Sequence, residues 1–353
     1  MLVVPSSLCI LRLSAIGDVC HAVSMVSRIR AQSPNTTITW IIGKIEYQLV
    51  QHIPDIEFIV FDKSKGKAAY KALEEELKGR QFDVLLAMQV AFRANLVAAR
   101  ISAKKKIGYD WARSKELHWL FTNARIKAQT HAHVLDSFMA FADAANIPAQ
   151  THLEWQIPIS QEVEQWVAEK TEGFGRYAVI NPAASKQERN WLPERYAKIA
   201  EYLSSKGLTP ILCGGPSAVD KQLGEKIISQ TTCISGNFIG QTTLLHMLAM
   251  LRKAELVIAP DTGPAHMATM VGTPVIGLYA HSNPRRTGPY LSQNYVVNAY
   301  DDLVVEKYGK QWSELPWGTR VKGENLMQRI TIEQVRARID QVVNECDIAS
   351  ECK

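Results

Sequence analysis

The sequence predicts an α/β protein built from two doubly wound, Rossmann-like domains. Three observations lead there. The chain's 353 residues exceed what one hydrophobic core ordinarily organises. Short apolar, β-branched runs alternate with helical patterns in both halves, as parallel strands joined by crossover helices do. The alternation lapses once, between Thr151 and Gly175, around Pro158, Gly173 and Gly175. That lapse divides the chain into domains at 1–160 and 176–330, followed by a C-terminal helix over 331–353 expected to cross back to the first domain.

Taken in order, the first half offers strands at Leu8–Leu13, Thr37–Ile42, Phe58–Phe61 and Val84–Met88. Helical patterns follow at Asp18–Ala31, Ala68–Lys78 and Phe92–Ile101. An amphipathic stretch, Gln161–Glu172, lies in the junction. The second half resumes with strands at Tyr177–Asn181, Thr209–Cys213, Leu256–Ala259 and Pro274–Tyr279. Its helices are expected at Pro193–Ser205, Ala218–Ser229, Thr243–Lys253 and Pro264–Met270, and Ile332–Val343 reads as a terminal amphipathic helix.

Composition narrows the class. The chain is 46% apolar and 21% charged, ordinary for a globular protein, and no apolar run approaches the ~20 residues that span a bilayer. The first residues lack the pattern of a secretion signal, and six scattered cysteines form neither a CxxC pair nor a metal spacing. A cytoplasmic protein with free thiols is expected. The net charge of +5 is uneven: residues 61–130 hold 15 Lys and Arg against 7 Asp and Glu. That local surplus of +8 reads either as a solvated surface or as a site for an anionic partner.

Chemistry concentrates where strands hand over to helices. In LRLSAIGDVCHAVSMV, residues 11–26, a strand ends in a small-residue turn and Asp18 stands at the helix start, as a cap or as a carboxylate aimed at a ligand. In APDTGPAHMATM, residues 259–270, Asp261 and Thr262 are cap types, Gly263 permits a tight turn and Pro264 suits the first helical turn. Free N–H groups there, with His266 nearby, make an anion site or simply a capped helix. A second loop, residues 181–192, carries Ser185, Lys186 and Arg189, donors suited to a diphosphate. The glycine-rich CGGPSAVD, residues 213–220, is a weaker indication of nucleotide approach.

Together these strings resemble glycosyltransferase family 9, the lipopolysaccharide heptosyltransferases. The resemblance rests on LxxIGDVxH, SKxxRNWxPERYA, LCGGP and APDTGPAHMATMVGTPVIGLY, followed by NPxRxGPY and ELPWGT, and runs from Arg12 to about Thr319. It implies a GT-B architecture, two Rossmann-like domains facing a central cleft. The first would bind the acceptor and carry the catalytic base; the second would bind the nucleotide sugar. The implied reaction is inverting transfer of heptose from ADP-L-glycero-D-manno-heptose to the lipopolysaccharide inner core, either 3-deoxy-octulosonic acid–lipid A or an already heptosylated core.

The family's base falls on Asp18, a carboxylate able to accept the attacking hydroxyl's proton. Its donor groups fall on Ser185, Lys186, Arg189, Asp261, Thr262, Gly263 and His266. Arg189 stands where several members have lysine. The acidic residue that some members place after the LCGG strand is missing from Gly214–Ser217, so adenine recognition is not legible there. Arg93 and Arg113 are the candidate contacts to the anionic, lipid A-linked acceptor, and the run Lys104–Lys106 reads as membrane-facing or merely solvated. Trp111 and Trp119 read mainly as core. No metal and no cofactor is expected, since ADP-heptose is a substrate and His131 with His133 is the one close histidine pair. The expected location is the cytoplasmic face of the inner membrane, with peripheral membrane contact and no nucleic acid partner. Two other readings stay open: a nucleotide-sugar epimerase or hydrolase on the same fold, and a noncatalytic anion-binding protein.

Overall fold

The computed structural model describes residues 3–351, and the side chains of residues 3–345. Cys346 therefore lies outside the described side chains, and Cys352 outside the described residues. The chain divides into two compact units, Met1–Pro158 and Ile159–Lys353.

The first unit is a six-stranded parallel sheet of β1 (Ser7–Leu11), β2 (Thr37–Gly43), β3 (Ile56–Phe61), β4 (Phe82–Ala87), β5 (Ala103–Gly108) and β6 (Ala124–Arg125), in the order β3-β2-β1-β4-β5-β6. The second sheet contains β7 (Tyr177–Ile180), β8 (Thr209–Leu212), β9 (Gly236–Asn237), β10 (Leu256–Pro260), β11 (Val275–Tyr279) and β12 (Val297–Asn298), in the order β12-β11-β10-β7-β8-β9. It is also parallel throughout. Counted within each unit, both follow the Rossmann order 3-2-1-4-5-6, whose reversal point is the usual ligand crevice. Central strands are buried on both faces, as their unbroken apolar runs require: Leu8–Leu11 and Leu256–Pro260 contain only buried residues.

β5 departs from the sequence expectation, because AKKKIG looks too charged for a strand. Its three ammonium groups all have partners inside the unit. Lys104 pairs with Asp83 at 2.7 Å, Lys105 Nζ donates to the Ala144 carbonyl at 2.7 Å, and Lys106 Nζ donates to the Ala98 carbonyl at 3.1 Å. Ala144 and Ala98 lie in the last turns of the helices Val134–Ala144 and Phe92–Ala99, where carbonyls lack intrahelical donors and the dipole favours cations. The lysine stems cover apolar surface on the way. Lys105 and Lys106 are thus built into the fold, while Lys104 stays on the solvated surface.

The terminal helix Ile332–Glu351, expected to cross back to the first domain, packs on its own unit through its described side chains. Val335, Ile339 and Val342 join the second unit's core with Tyr196, Leu203 and Val304. Cys9, Cys20 and Cys213 are buried free thiols, and Cys233 is a half-buried one. No helix among the described residues is long and apolar enough to cross a membrane.

Candidate active site

In the first unit the loop after β1 lies against the loop after β4, at the reversal point of the sheet. Leu13 N–H donates to the Gln89 side-chain oxygen at 2.8 Å, and Gln89 Nε2 donates to the Ser14 hydroxyl at 3.2 Å. Asp18 follows in the first turn of the helix Ile16–Gln32, whose N-cap is Ala15 rather than Asp18. Its Oδ2 accepts the Ala15 N–H at 3.3 Å, so the carboxylate closes the helix start from the third helical position. The same oxygen pairs with the Arg12 guanidinium. Arg12 is buried: Nη1 donates to the Met88 carbonyl, and its charge lies 5.3 Å over the Phe138 ring. Asp18 keeps 31% of its side chain exposed, so one anchored oxygen leaves the carboxylate open to a ligand. Arg12 was not singled out in the sequence; a lone cation inside an apolar strand end was the available signal.

The candidate acceptor arginines differ. Arg93 is exposed on the helix Phe92–Ala99 and makes no ion pair among the described residues. Arg113 is bonded within the unit. It binds Asp110 through Nε at 2.7 Å, the Ser137 hydroxyl at 2.5 Å and Gln129 at 3.2 Å, and lies 5.4 Å over Tyr109. Arg113 is thus held in place by an ion pair to Asp110, and keeps 23% of its side chain exposed. His133 likewise serves structure: its ring accepts the Leu135 N–H at 3.1 Å and meets His21 edge-on at 5.1 Å.

In the second unit the loops after β7 and β10 meet at the corresponding reversal point. The first is pinned from within: Asn181 Nδ2 donates to the Cys213 carbonyl at 2.8 Å, Asn190 Oδ1 accepts the Ala184 N–H at 2.7 Å, and buried Trp191 donates to the Ile330 carbonyl at 3.1 Å. Between these anchors Ser185 and Lys186 stay exposed. Arg189 turns toward the other loop, donating to the Asp261 carbonyl at 3.0 Å and pairing with its carboxylate at 3.3 Å. Ser282 donates to the same carboxylate at 2.5 Å. Asp261 is therefore held by two side chains and does not cap the helix Gly263–Met270, whose N-cap is Thr262 without a side-chain bond. The first N–H groups of that helix are left for other acceptors. His266 is buried in its first turn.

Two residues not singled out in the sequence complete this region. Arg320 is exposed at its surface, yet partial desolvation lowers its proton affinity, and Arg189 and Arg286 lower it further by repulsion, with Asp261 opposing them. His281 is buried and held toward its neutral form by that burial and by Arg189 and Arg320, against the Val321 backbone and Glu188. Arg189 is thus the guanidinium in contact with Asp261, and the charges of Arg286 and Arg320 add to a positive field in this region that draws an anion. On the neighbouring loop, Asp220 Oδ1 accepts the Gly215 N–H at 2.9 Å. Among the described residues, no group of three or more His, Cys, Asp or Glu gathers as metal ligands do.

Two tandem Rossmann-order units are the building blocks of a GT-B fold, and solved structures agree on the fold. A glycosyltransferase family 9 protein from Veillonella parvula superposes with a TM-score of 0.78 at 21% identity, covering 96% of this chain and 97% of that one. The Escherichia coli heptosyltransferase WaaC, solved with ADP, gives a TM-score of 0.73 at 19% identity over 95% and 99% of the two chains. Residues 70–317 match the profile of "Glycosyltransferase family 9 (heptosyltransferase)". The lipopolysaccharide core heptosyltransferase OpsX of Haemophilus influenzae is 44% identical over 331 residues, 94% of this chain and 95% of that protein. The chain belongs to glycosyltransferase family 9 and is a heptosyltransferase.

Proposed function

We propose that this enzyme transfers heptose from ADP-L-glycero-D-manno-heptose to the inner core of lipopolysaccharide, with inversion at the anomeric carbon and Asp18 as general base. One observation carries the reading: Arg189 pairs with Asp261 beside the start of the helix Gly263–Met270, which no side chain of its N-cap closes, and the Arg286 and Arg320 charges add to the positive field there. A diphosphate balances that field and accepts the first N–H groups of the helix. The relatives support the reading: OpsX is named as a lipopolysaccharide core heptosyltransferase, which bears on sugar and acceptor, and WaaC was solved with ADP, which bears on the nucleotide.

In this mechanism the acceptor hydroxyl gives its proton to Asp18 while its oxygen attacks the anomeric carbon opposite the diphosphate. The bond from that carbon to the phosphate oxygen breaks, and ADP leaves with the electron pair. Lys186, Arg189, His266 and the N–H groups beginning at Gly263 stabilise the charge that develops on it. Ser185 and Thr262 add hydroxyl donors, and Asp261 orients the sugar. Arg12 holds Asp18 in place. Arg93 meets the carboxylates and phosphates of the lipid A-linked acceptor at the cytoplasmic face of the inner membrane. The domain roles follow, acceptor and base in 1–160 and donor in 176–330.

The test is ADP release from ADP-heptose with 3-deoxy-octulosonic acid–lipid A, followed by NMR of the product linkage. Acceptor-dependent release with an anomeric configuration opposite to the donor's is expected. Release only with an already heptosylated core moves the enzyme to a later transfer with the same chemistry. Failure to bind ADP-heptose overturns the donor assignment.

A further inference from the structure

Trp111 and Trp119 do not pack in the core. They belong to a set of five large apolar side chains, with Phe92, Leu117 and Leu120, that are 41 to 66% exposed. Two segments bring them together. Phe92 N–H donates to the Glu116 carboxylate, and Asn95 Nδ2 donates to the Glu116 carbonyl at 2.8 Å, tying the helix Phe92–Ala99 to the loop after β5. The two indole rings lie 6.3 Å apart. Glu116 and Leu117 adopt left-handed backbone, at φ 51° and 60°, unfavourable for bulky side chains. His118, by contrast, is fully buried and bonded to Asn95 at 2.8 Å, so the segment is anchored from beneath while its neighbours face outward.

Cations frame the apolar set. The Arg125 guanidinium stacks 3.8 Å from the Trp111 ring centroid. Arg93 adjoins Phe92, and Lys115 adjoins the left-handed turn; neither has an ion-pair partner among the described residues. The nearby carboxylates are occupied, Asp110 by Arg113 and Glu116 by the Phe92 N–H. The patch also sits at the carboxyl end of the first sheet, the end that carries Asp18: β1, β4 and β5 run parallel, and the loops after β1 and β4 are hydrogen-bonded to each other.

The geometry points to a membrane-docking surface that seats the aromatic rings among the headgroups of an anionic bilayer. Indole rings with unpaired lysine and arginine beside them suit the interface between headgroup and acyl chain, where the rings are half buried and the cations meet lipid phosphates. A protein partner would not explain why the patch shares its sheet end with the proposed base. A lipid-anchored acceptor does, because docking there brings its sugars to the Asp18 side. The inference rests on the lipid-linked acceptor of the proposed function, and its own test is independent of turnover.

That test is flotation of the whole protein with vesicles of phosphatidylethanolamine and phosphatidylglycerol, without donor or acceptor, against phosphatidylcholine vesicles. Wild type is expected to float with the anionic vesicles only. Trp111→Ser combined with Trp119→Ser should lower the bound fraction about tenfold, and Lys115→Glu at least about fivefold. Both variants should keep wild-type turnover on a delipidated core acceptor, which shows that the unit remains folded. No binding by wild type, equal binding to both vesicle types, or unchanged binding by the variants overturns the inference. So does a wild-type dimer that the tryptophan substitutions dissolve, which would assign the patch to a second copy. Vesicle binding by a protein that does not turn over any core acceptor would sustain the surface while removing the proposed acceptor.

Discussion

A buried guanidinium needs its charge compensated, and Arg12 engages Asp18, Met88 and the Phe138 ring, while its Nε is buried without a hydrogen-bond partner. Its effect on the reaction runs through Asp18, as a positioning residue. Arg12→Met is expected to lower kcat by about ten- to a hundredfold at an unchanged donor KM. Arg12→Lys should recover part of it, because lysine keeps the charge without the fork that reaches two partners. Equal kcat in the methionine variant and wild type would remove Arg12 from the account. Arg189 acts on the other substrate. Losing its charge-assisted contacts, about 1.5–3 kcal/mol, should raise the ADP dissociation constant of Arg189→Met roughly tenfold to a hundredfold by calorimetry. An unchanged constant would mean that Arg189 only braces Asp261. The identity of these residues was legible as chemistry, since Asp18, Arg189 and Asp261 stand out at strand ends. Their pairings were not. Arg113 looks free in sequence because Asp110, Gln129 and Ser137 converge on it only in the fold.

Among the elements, the segment His118–Phe121 depends on a neutral imidazole. Burial, then the Arg125 charge, push the His118 value down from 6.5 to about 4, and the ring is bonded to Asn95. A histidine with a depressed folded value makes the unfolded chain take up the proton first as pH falls. Stability is therefore full above about 6.5 and declines toward about 4. Urea unfolding of the first unit should show this loss between about pH 7 and pH 5, and His118→Gln should flatten it. Parallel pH dependences in both proteins would contradict the assignment. Space beneath this segment is tight: a Cβ on Gly108 would lie 2.7 Å from His118 Nε2. Sequence periodicity located the central strands and the helix Pro193–Ser205 because apolar patterns dominate there. It missed β5, where Lys105 and Lys106 obey helix-end electrostatics instead, and the two-residue strands β6, β9 and β12, too short for any period. It also missed the exposure of Trp111 and Trp119, since large aromatic residues are ordinarily core.

For the whole molecule, two units in one topological order place the proposed base at the reversal point of the first sheet and the proposed diphosphate site at that of the second. The chain order of strands and helices was readable in sequence; the lateral order of strands was not, because it is set by crossovers that sequence leaves unspecified. Division of labour follows: the second unit should bind ADP without help from Asp18, and turnover should need both. The most direct measurement is acceptor-dependent ADP release by Asp18→Asn beside wild type, with ADP-heptose binding measured on the same samples. A fall of about a hundredfold or more in release, with donor affinity unchanged, is the predicted result. Release at the wild-type rate would contradict Asp18 as the base and return it to its hydrogen bond at the helix start.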